Sequence, residues 1–126
     1  DLFRYVQENL KLIQDRWVLP GKRSMLSKIY AAVAESAEAG SFSPRGLARR
    51  LGISQRSLQR NAREFGLTVN QLLTEARETT ARRLLSETEL DIESIARRLA
   101  YSEARAFRRA FIRWTGKSPT AFRKQS

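Results

Sequence analysis

Two stretches of the chain carry nearly the same eight residues. LARRLGIS occupies residues 47–54, and IARRLAYS occupies residues 95–102, forty-eight positions further on. In each copy the apolar residues recur at helical spacing and end at a tight turn, after which a serine is suited to cap another helix. The repeat therefore predicts two copies of one small helical unit in a chain of 126 residues.

Each copy combines small and bulky residues in a way that suits two steeply crossing helices. Ala48 and Ala96 provide the small side chain at the crossing, while Leu51 and Leu99 fill the space beneath the turn. This combination is typical of the helix-turn-helix arrangement, in which the second helix enters the major groove of DNA. We therefore expect the second helix of each unit to be a recognition helix.

The rest of the chain also favours helices, because alternating apolar and polar runs are absent. An N-terminal helix ending at Pro20-Gly21 is predicted from an apolar stripe at Leu2, Val6, Leu10, Ile13 and Trp17. The next helix is predicted to begin at Ser24 and to bury Leu26, Ile29, Tyr30 and Val33. Further helix starts are predicted from capping residues at Ser43, Ser54, Thr68, Asp91, Ser102 and Ser118.

These elements predict an all-α fold with two helix-turn-helix units, a long connecting helix and an extra N-terminal helix. The predicted parts are an N-terminal helix or linker, a first unit, a connecting helix and a second unit, at residues 1–22, 23–67, 68–87 and 88–126. The stripe of the N-terminal part packs either on this domain or on a second copy of the chain. Because the first residue is aspartate, we expect a fragment or a processed chain.

The second helix of each unit has two distinct faces. In the first copy Leu58, Ala62 and Phe65 are predicted to face inward, and Arg56, Gln59, Arg60 and Arg63 outward. In the second copy Phe107, Ala110, Phe111 and Trp114 are predicted to face inward, and Arg105, Arg108, Arg109 and Ile112 outward, with Arg113 nearby. The spacing between the two copies increases from forty-eight to forty-nine residues, because Leu58 matches Phe107. We place this one-residue slip inside the second helix.

The amino-acid composition excludes several classes of function. The chain contains no cysteine and no histidine, which excludes disulfides, thiolate or imidazole metal sites, and catalysis by Ser-His or Cys-His pairs. The net charge is +11, of which residues 41–126 supply +10 from eighteen basic and eight acidic groups. A surplus in one region indicates an anionic partner, and sixteen of these eighteen cations are arginines, which suit phosphate and guanine. We expect no enzyme activity, no cofactor, no metal and no membrane partner.

With these features the sequence resembles the AraC/XylS family of bacterial transcription regulators. The most specific stretch is IARRLAYSEARAFRRAFIRWTGKSPTAFR, from Ile95 to Arg123, with a turn aromatic, a Phe-x-Arg-x-Phe core and a Gly-x-Ser-Pro ending. GISQRSLQRNAREFG similarly resembles a first recognition helix with the pattern Ser-x-Arg-x-Leu-x-Arg. The similarity extends over roughly residues 25–124.

The resemblance implies sequence-specific binding of double-stranded DNA by a monomer. Both recognition helices would lie in successive major-groove segments about 34 Å apart, held by a connecting helix from Thr68 to about Ser86. Base contacts are implied for Arg56, Gln59, Arg60, Ala104, Arg105 and Arg108. Contacts to the DNA backbone are implied for Ser54, Arg63, Ser102, Arg109, Lys117 and Arg123.

The resemblance also implies partners and a cellular place. RNA polymerase is the expected protein partner, in the bacterial cytoplasm at the nucleoid, with activation of transcription as one outcome. A homodimer would form through the N-terminal helix or through a sensor domain such as family members carry ahead of this region. A nonspecific architectural or RNA-binding basic module is the alternative to sequence-specific binding.

The chain departs from the family pattern at three positions. Ala100 stands in the second turn where glycine is usual, so a left-handed backbone there would cost roughly 1 kcal/mol. Ala62 replaces a usual leucine, which predicts a thinner first unit. Ala104 offers no side-chain hydrogen bond, so the second unit is expected to make fewer base contacts.

Overall fold

The computed structural model describes residues 20–125, and every regular element in that range is an α-helix. The helices are α1 Pro20–Glu38, α2 Pro44–Leu51, α3 Gln55–Glu64, α4 Val69–Glu87, α5 Ile92–Arg98, α6 Ala104–Thr115 and α7 Pro119–Gln125. The predicted all-α class is therefore confirmed for these residues. The helix predicted within residues 2–18 lies outside the described part of the chain.

The chain divides into two compact units between Ala76 and Arg77, inside α4. The first unit contains α1, α2, α3 and the beginning of α4, and the second contains the remainder of α4 with α5, α6 and α7. Each unit thus includes one pair of helices predicted as a helix-turn-helix. The four-part division at residues 1–22, 23–67, 68–87 and 88–126 stays a prediction.

The core of the first unit forms where α1 packs against α2 and α3. The four α1 residues predicted to face inward are all buried: Leu26, Ile29, Tyr30 and Val33. Leu47 of α2 and Leu58 of α3 are fully buried, and Ala48 is buried beside them. These apolar faces hold α3 by one side only, because its other side is exposed.

Aromatic residues form the core of the second unit. Phe107 and Phe111 of α6 are fully buried, and their ring centroids lie 5.8 Å apart in an edge-on arrangement. Phe122 of α7 meets Phe111 at 5.3 Å. Ile95 of α5 and Leu99, which follows that helix, are also fully buried, so α6 is likewise anchored by one face.

Local capping chemistry determines most helix starts. Ser43 accepts the Gly46 N–H at 3.0 Å, with Pro44 in the first helical position, and Asp91 accepts the Ser94 N–H at 2.7 Å. Thr68 and Gln71 bond each other's backbone N–H groups at 3.1 and 3.2 Å, which is the predicted capping box. Ser54 and Ser118 cap α3 and α7 in the same way as Ser43 caps α2.

One predicted start in the first unit is wrong. Helix α1 begins at Pro20, so Ser24 is an exposed residue inside the helix and not its cap. Proline suits the first turn of a helix, because its missing N–H would lack an intrahelical partner there in any case. The Pro20-Gly21 pair therefore opens a helix where the sequence pattern predicted an ending.

Candidate nucleic-acid interface

The two predicted turns begin with the same backbone conformation. After α2, Gly52 adopts a left-handed conformation at φ 70°, and the Ile53 N–H reaches the Ala48 carbonyl at 3.1 Å. After α5, Ala100 does so at φ 66°, and the Tyr101 N–H reaches the Ala96 carbonyl at 3.0 Å. This is the Schellman ending of a helix, which also ends α1 at Gly40 and α3 at Gly66. The backbone at Ala100 is therefore left-handed, and Ala100 is the one non-glycine residue with positive φ among residues 20–125.

The slip in register lies in the second turn, and the prediction that placed it inside the helix is wrong. The left-handed residues are forty-eight positions apart, but the N-caps of α3 and α6 are Ser54 and Glu103, forty-nine apart. The second turn is therefore one residue longer. Ser102 does not cap α6, and Glu103 stands at the cap position without a side-chain bond. Ser102 is exposed in the turn itself and does not lie at the helix start. A phosphate contact by Ser102 stays a prediction.

Helix α3 presents the predicted polar face to solvent. We call this face the first stripe, and its members Arg56, Gln59, Arg60 and Arg63 are all exposed. On the opposite side Leu58 and Ala62 are buried, and Phe65 is half-buried. The Ser54 hydroxyl accepts the Ser57 N–H at 3.1 Å and so fixes the first turn of the helix.

Helix α6 presents a matching face, which we call the second stripe. Its members Arg105, Arg108, Arg109 and Ile112 are exposed, as is Arg113 beside them, whereas Ala104 is half-buried. The corrected register pairs Arg56 with Arg105, Gln59 with Arg108 and Arg60 with Arg109. Arg109 is therefore the counterpart of a residue predicted to contact bases, although the resemblance placed it among the backbone contacts.

An arginine that the sequence patterns did not single out fixes the second turn. The Arg77 Nε donates to the Leu99 carbonyl at 2.9 Å, and its guanidinium carbon lies 4.4 Å from the centroid of the Tyr101 ring. This side chain therefore ties α4 to the end of α5 and to the turn before α6. A signal was present in the sequence, because Arg77 lies four residues before the buried Ala81, where a helix normally carries an apolar residue.

The pKa values of two tyrosines report their packing. Burial, together with the charge of Glu75, raises the pKa of Tyr30 to about 12. Burial also raises the pKa of Tyr101 above its ordinary value, while the nearby Arg77 guanidinium opposes the rise. Tyr101 offers its ring face to Arg77.

Two cations predicted to contact phosphate have protein partners. Arg123 donates from Nε to the Leu85 carbonyl at 3.1 Å and from Nη2 to the Thr88 carbonyl at 3.3 Å. It thus binds carbonyls at the C-terminal end of α4 and anchors α7 there. Lys117 is exposed, and its Nζ contacts Oε1 of Gln125. A phosphate contact by either residue stays a prediction, and the bonds of Arg123 favour a structural role.

Over residues 20–125, no group of acidic side chains is arranged to hold a metal ion. No helix in the same range combines the length and apolar character that crossing a membrane requires.

Known proteins share the sequence and fold of this chain. A family model described as a helix-turn-helix domain matches residues 47–125, from the start of the first repeat to the end of α7. The Ornithine utilization regulator of Pseudomonas aeruginosa is 40% identical over 77 residues, which are 61% of this chain and 23% of that protein. The regulator VirS of Mycobacterium tuberculosis is 30% identical over 105 residues, 83% of this chain and 31% of that protein. The chain thus spans about a quarter to a third of the length of these relatives.

Solved structures agree with the family match. The DNA-binding domain of AdpA in complex with a target DNA has a TM-score of 0.65 at 30% identity, covering 77% of this chain and 90% of that one. The C-terminal domain of AraT, a response regulator from Geobacillus stearothermophilus, has a TM-score of 0.66 at 28% identity, covering 87% and 88%. With the doubled turn, the two exposed stripes and the match over residues 47–125, this chain belongs to the AraC/XylS family of helix-turn-helix transcription regulators.

Proposed function

We propose that this chain binds double-stranded DNA at specific sequences, with α3 and α6 as recognition helices in successive major-groove segments. The observation that carries this proposal is the duplicated unit. The same left-handed turn twice precedes a helix whose inner face is buried and whose outer face carries the first or the second stripe. A basic surface that only faces solvent would not require two copies of one unit with an exposed stripe at the same place in each.

The exposed groups suit base recognition. Arginine donates two parallel hydrogen bonds to guanine O6 and N7, and glutamine pairs with adenine N6 and N7. In the corrected register each recognition helix carries three such side chains at matching positions, spaced i, i+3 and i+4. Neighbours at that spacing lie on one side of a helix and can reach adjacent base pairs together.

We assign the contacts as follows. Base edges are contacted by Arg56, Gln59, Arg60, Arg105, Arg108 and Arg109, with Ala104 beside them at the start of α6. Phosphates are contacted by Ser54 and Arg63 in the first unit and by Lys117 in the second. Arg109 moves to the base-contacting group because it is the counterpart of Arg60. Arg123 moves to a structural role because it binds the end of α4.

The wider role follows from the family. Its named relatives are transcription regulators, which supports a regulator that recruits or blocks RNA polymerase in the bacterial cytoplasm, at the nucleoid, without enzymatic activity of its own. Homodimer formation through residues 1–22 or through a sensor domain belongs to the same proposal. Sedimentation of the chain with and without residues 1–20 distinguishes a monomer from a dimer.

Selection of DNA sequences from a random duplex library tests the function directly. We expect a defined site to emerge, and the chain to bind it at least about 10³-fold more tightly than random duplex at physiological salt. Lys28→Ala removes one exposed positive charge outside both stripes, and this variant should select the same site as the unaltered chain. Equal binding to every duplex, or preference for RNA, would favour the nonspecific alternative.

A further inference from the structure

We propose that Ile112 contacts the methyl group of a thymine and so selects a thymine at one base pair of the target site. This inference rests on the proposed function, because it requires α6 to lie in a major groove. Neither the repeat nor the family pattern assigns a role to Ile112.

Ile112 is the one large apolar side chain that is exposed among residues 24–125, with 48% of its surface accessible. The apolar requirement of α6 is met elsewhere, because Phe107, Ala110 and Phe111 are buried on the inner face. Ile112 is therefore not needed for the core. An exposed branched apolar residue gains free energy only when another apolar group covers it.

The position of Ile112 favours DNA as the covering partner. Ile112 follows Arg105, Arg108 and Arg109 at the spacing i, i+3, i+4, i+7, so all four lie on the second stripe. Helices that lie along a major groove contact bases with residues at this same spacing. The three arginines around Ile112 attract an anionic surface and disfavour an uncharged apolar one.

The major groove offers one apolar group, which is the C5-methyl of thymine. The other groups on the base edges are hydrogen-bond donors and acceptors, which isoleucine cannot satisfy. In the first unit the counterpart of Ile112 is Arg63, which suits phosphate. The two recognition helices therefore differ at this place, and the second one is suited to a thymine where the first is suited to the DNA backbone.

The test removes the methyl group from the DNA. In the site recovered by selection, each thymine is replaced in turn by uracil, which keeps every hydrogen-bonding group. At one thymine in the half of the site contacted by α6, we expect this replacement to lower the affinity of the unaltered chain about fourfold. This is the effect expected from losing the burial of one methyl group. Ile112→Ala should bind the thymine and uracil sites equally, and Ile112→Val should keep a preference for thymine.

The outcomes separate this contact from the proposed function. If a specific site is selected but no uracil weakens binding, or if Ile112→Ala keeps the thymine preference, the contact is wrong and the function stands. Equal loss by Ile112→Ala on every duplex would also overturn the contact, because it would indicate a sequence-independent role. If no site is selected at all, both proposals fail. Thermal melting of both variants confirms that the exposed substitutions leave the fold intact.

Discussion

Ala100 carries a measurable cost at the level of a single residue. Its left-handed backbone at φ 66° places its Cβ close to a carbonyl oxygen, which costs about 1–2 kcal/mol, whereas the equivalent Gly52 avoids that cost. We expect Ala100→Gly to raise the free energy of unfolding by up to about 1 kcal/mol, after the greater freedom of glycine in the unfolded chain is subtracted. Gly52→Ala should lower it. Thermal melting measures both, and an unchanged or lower melting temperature for Ala100→Gly would contradict the expected strain.

Single arginines of the two stripes should affect specificity more than general affinity. We expect Arg60→Ala and Arg105→Ala each to reduce discrimination at particular base pairs by about 1–3 kcal/mol, because each removes a forked contact to a base. Binding of a panel of single-base variants of the selected site measures this loss. Lys28→Ala should leave discrimination unchanged. An equal loss on all sequences would assign the two arginines to phosphate.

Tyr30 should make stability depend on alkaline pH. Its pKa is about 12 in the folded protein against an ordinary value of 10, so the folded state favours the neutral phenol. The resulting stabilisation is complete below pH 10 and is lost as the pH rises towards 12. We expect the free energy of unfolding to fall more steeply between pH 9 and 11 for the unaltered chain than for Tyr30→Phe. Urea titrations at the two pH values measure the slopes, and identical slopes would show that Tyr30 does not contribute.

At the level of elements, Arg77 connects three of them. Its side chain donates a hydrogen bond to the Leu99 carbonyl, just after α5, and lies against the Tyr101 ring in the turn. It therefore positions the start of α6. We expect Arg77→Gln to lower the free energy of unfolding by about 1.5–3 kcal/mol, the contribution of a hydrogen bond that involves a charged group. It should also weaken discrimination in the half of the site contacted by α6 and spare the other half. Arg83→Gln, an exposed change on the same helix, is the control, and equal behaviour of the two variants would show that Arg77 has no positioning role.

The sequence predicted elements where the determining chemistry is local. Ser43, Ser54 and the Thr68–Gln71 pair cap helices through bonds that span only three residues, and the structure confirms all of them. Ser102 was predicted by analogy with Ser54, and the prediction is wrong because the second turn is one residue longer. The spacing of Leu58 and Phe107 shows that the second copy has one more residue, but the eight matched residues end before that residue and do not show where it lies.

Contacts between distant residues were beyond prediction from periodicity. Arg77 bonds Leu99 across twenty-two positions, and Arg123 bonds Leu85 across thirty-eight. From side-chain chemistry alone, both arginines count among the surplus basic residues and would be expected to contact DNA. The exposed members of the two stripes, by contrast, followed from helical spacing, because one buried face on a helix leaves the opposite face to solvent.

For the whole molecule, the central claim is that two recognition helices contact one DNA duplex together. Residues 41–126 carry a net charge of +10, which explains attraction to DNA but not where the chain stops on it. The duplicated unit adds the specific expectation of two groove contacts, and it explains how a single chain could cover a site for which other helix-turn-helix proteins use a dimer.

Chemical protection mapping on the selected duplex tests this claim most directly. We expect two protected major-groove windows about one helical turn apart, with Arg60→Ala weakening one window and Arg105→Ala weakening the other. A single protected window, or uniform protection that neither variant changes, would contradict it.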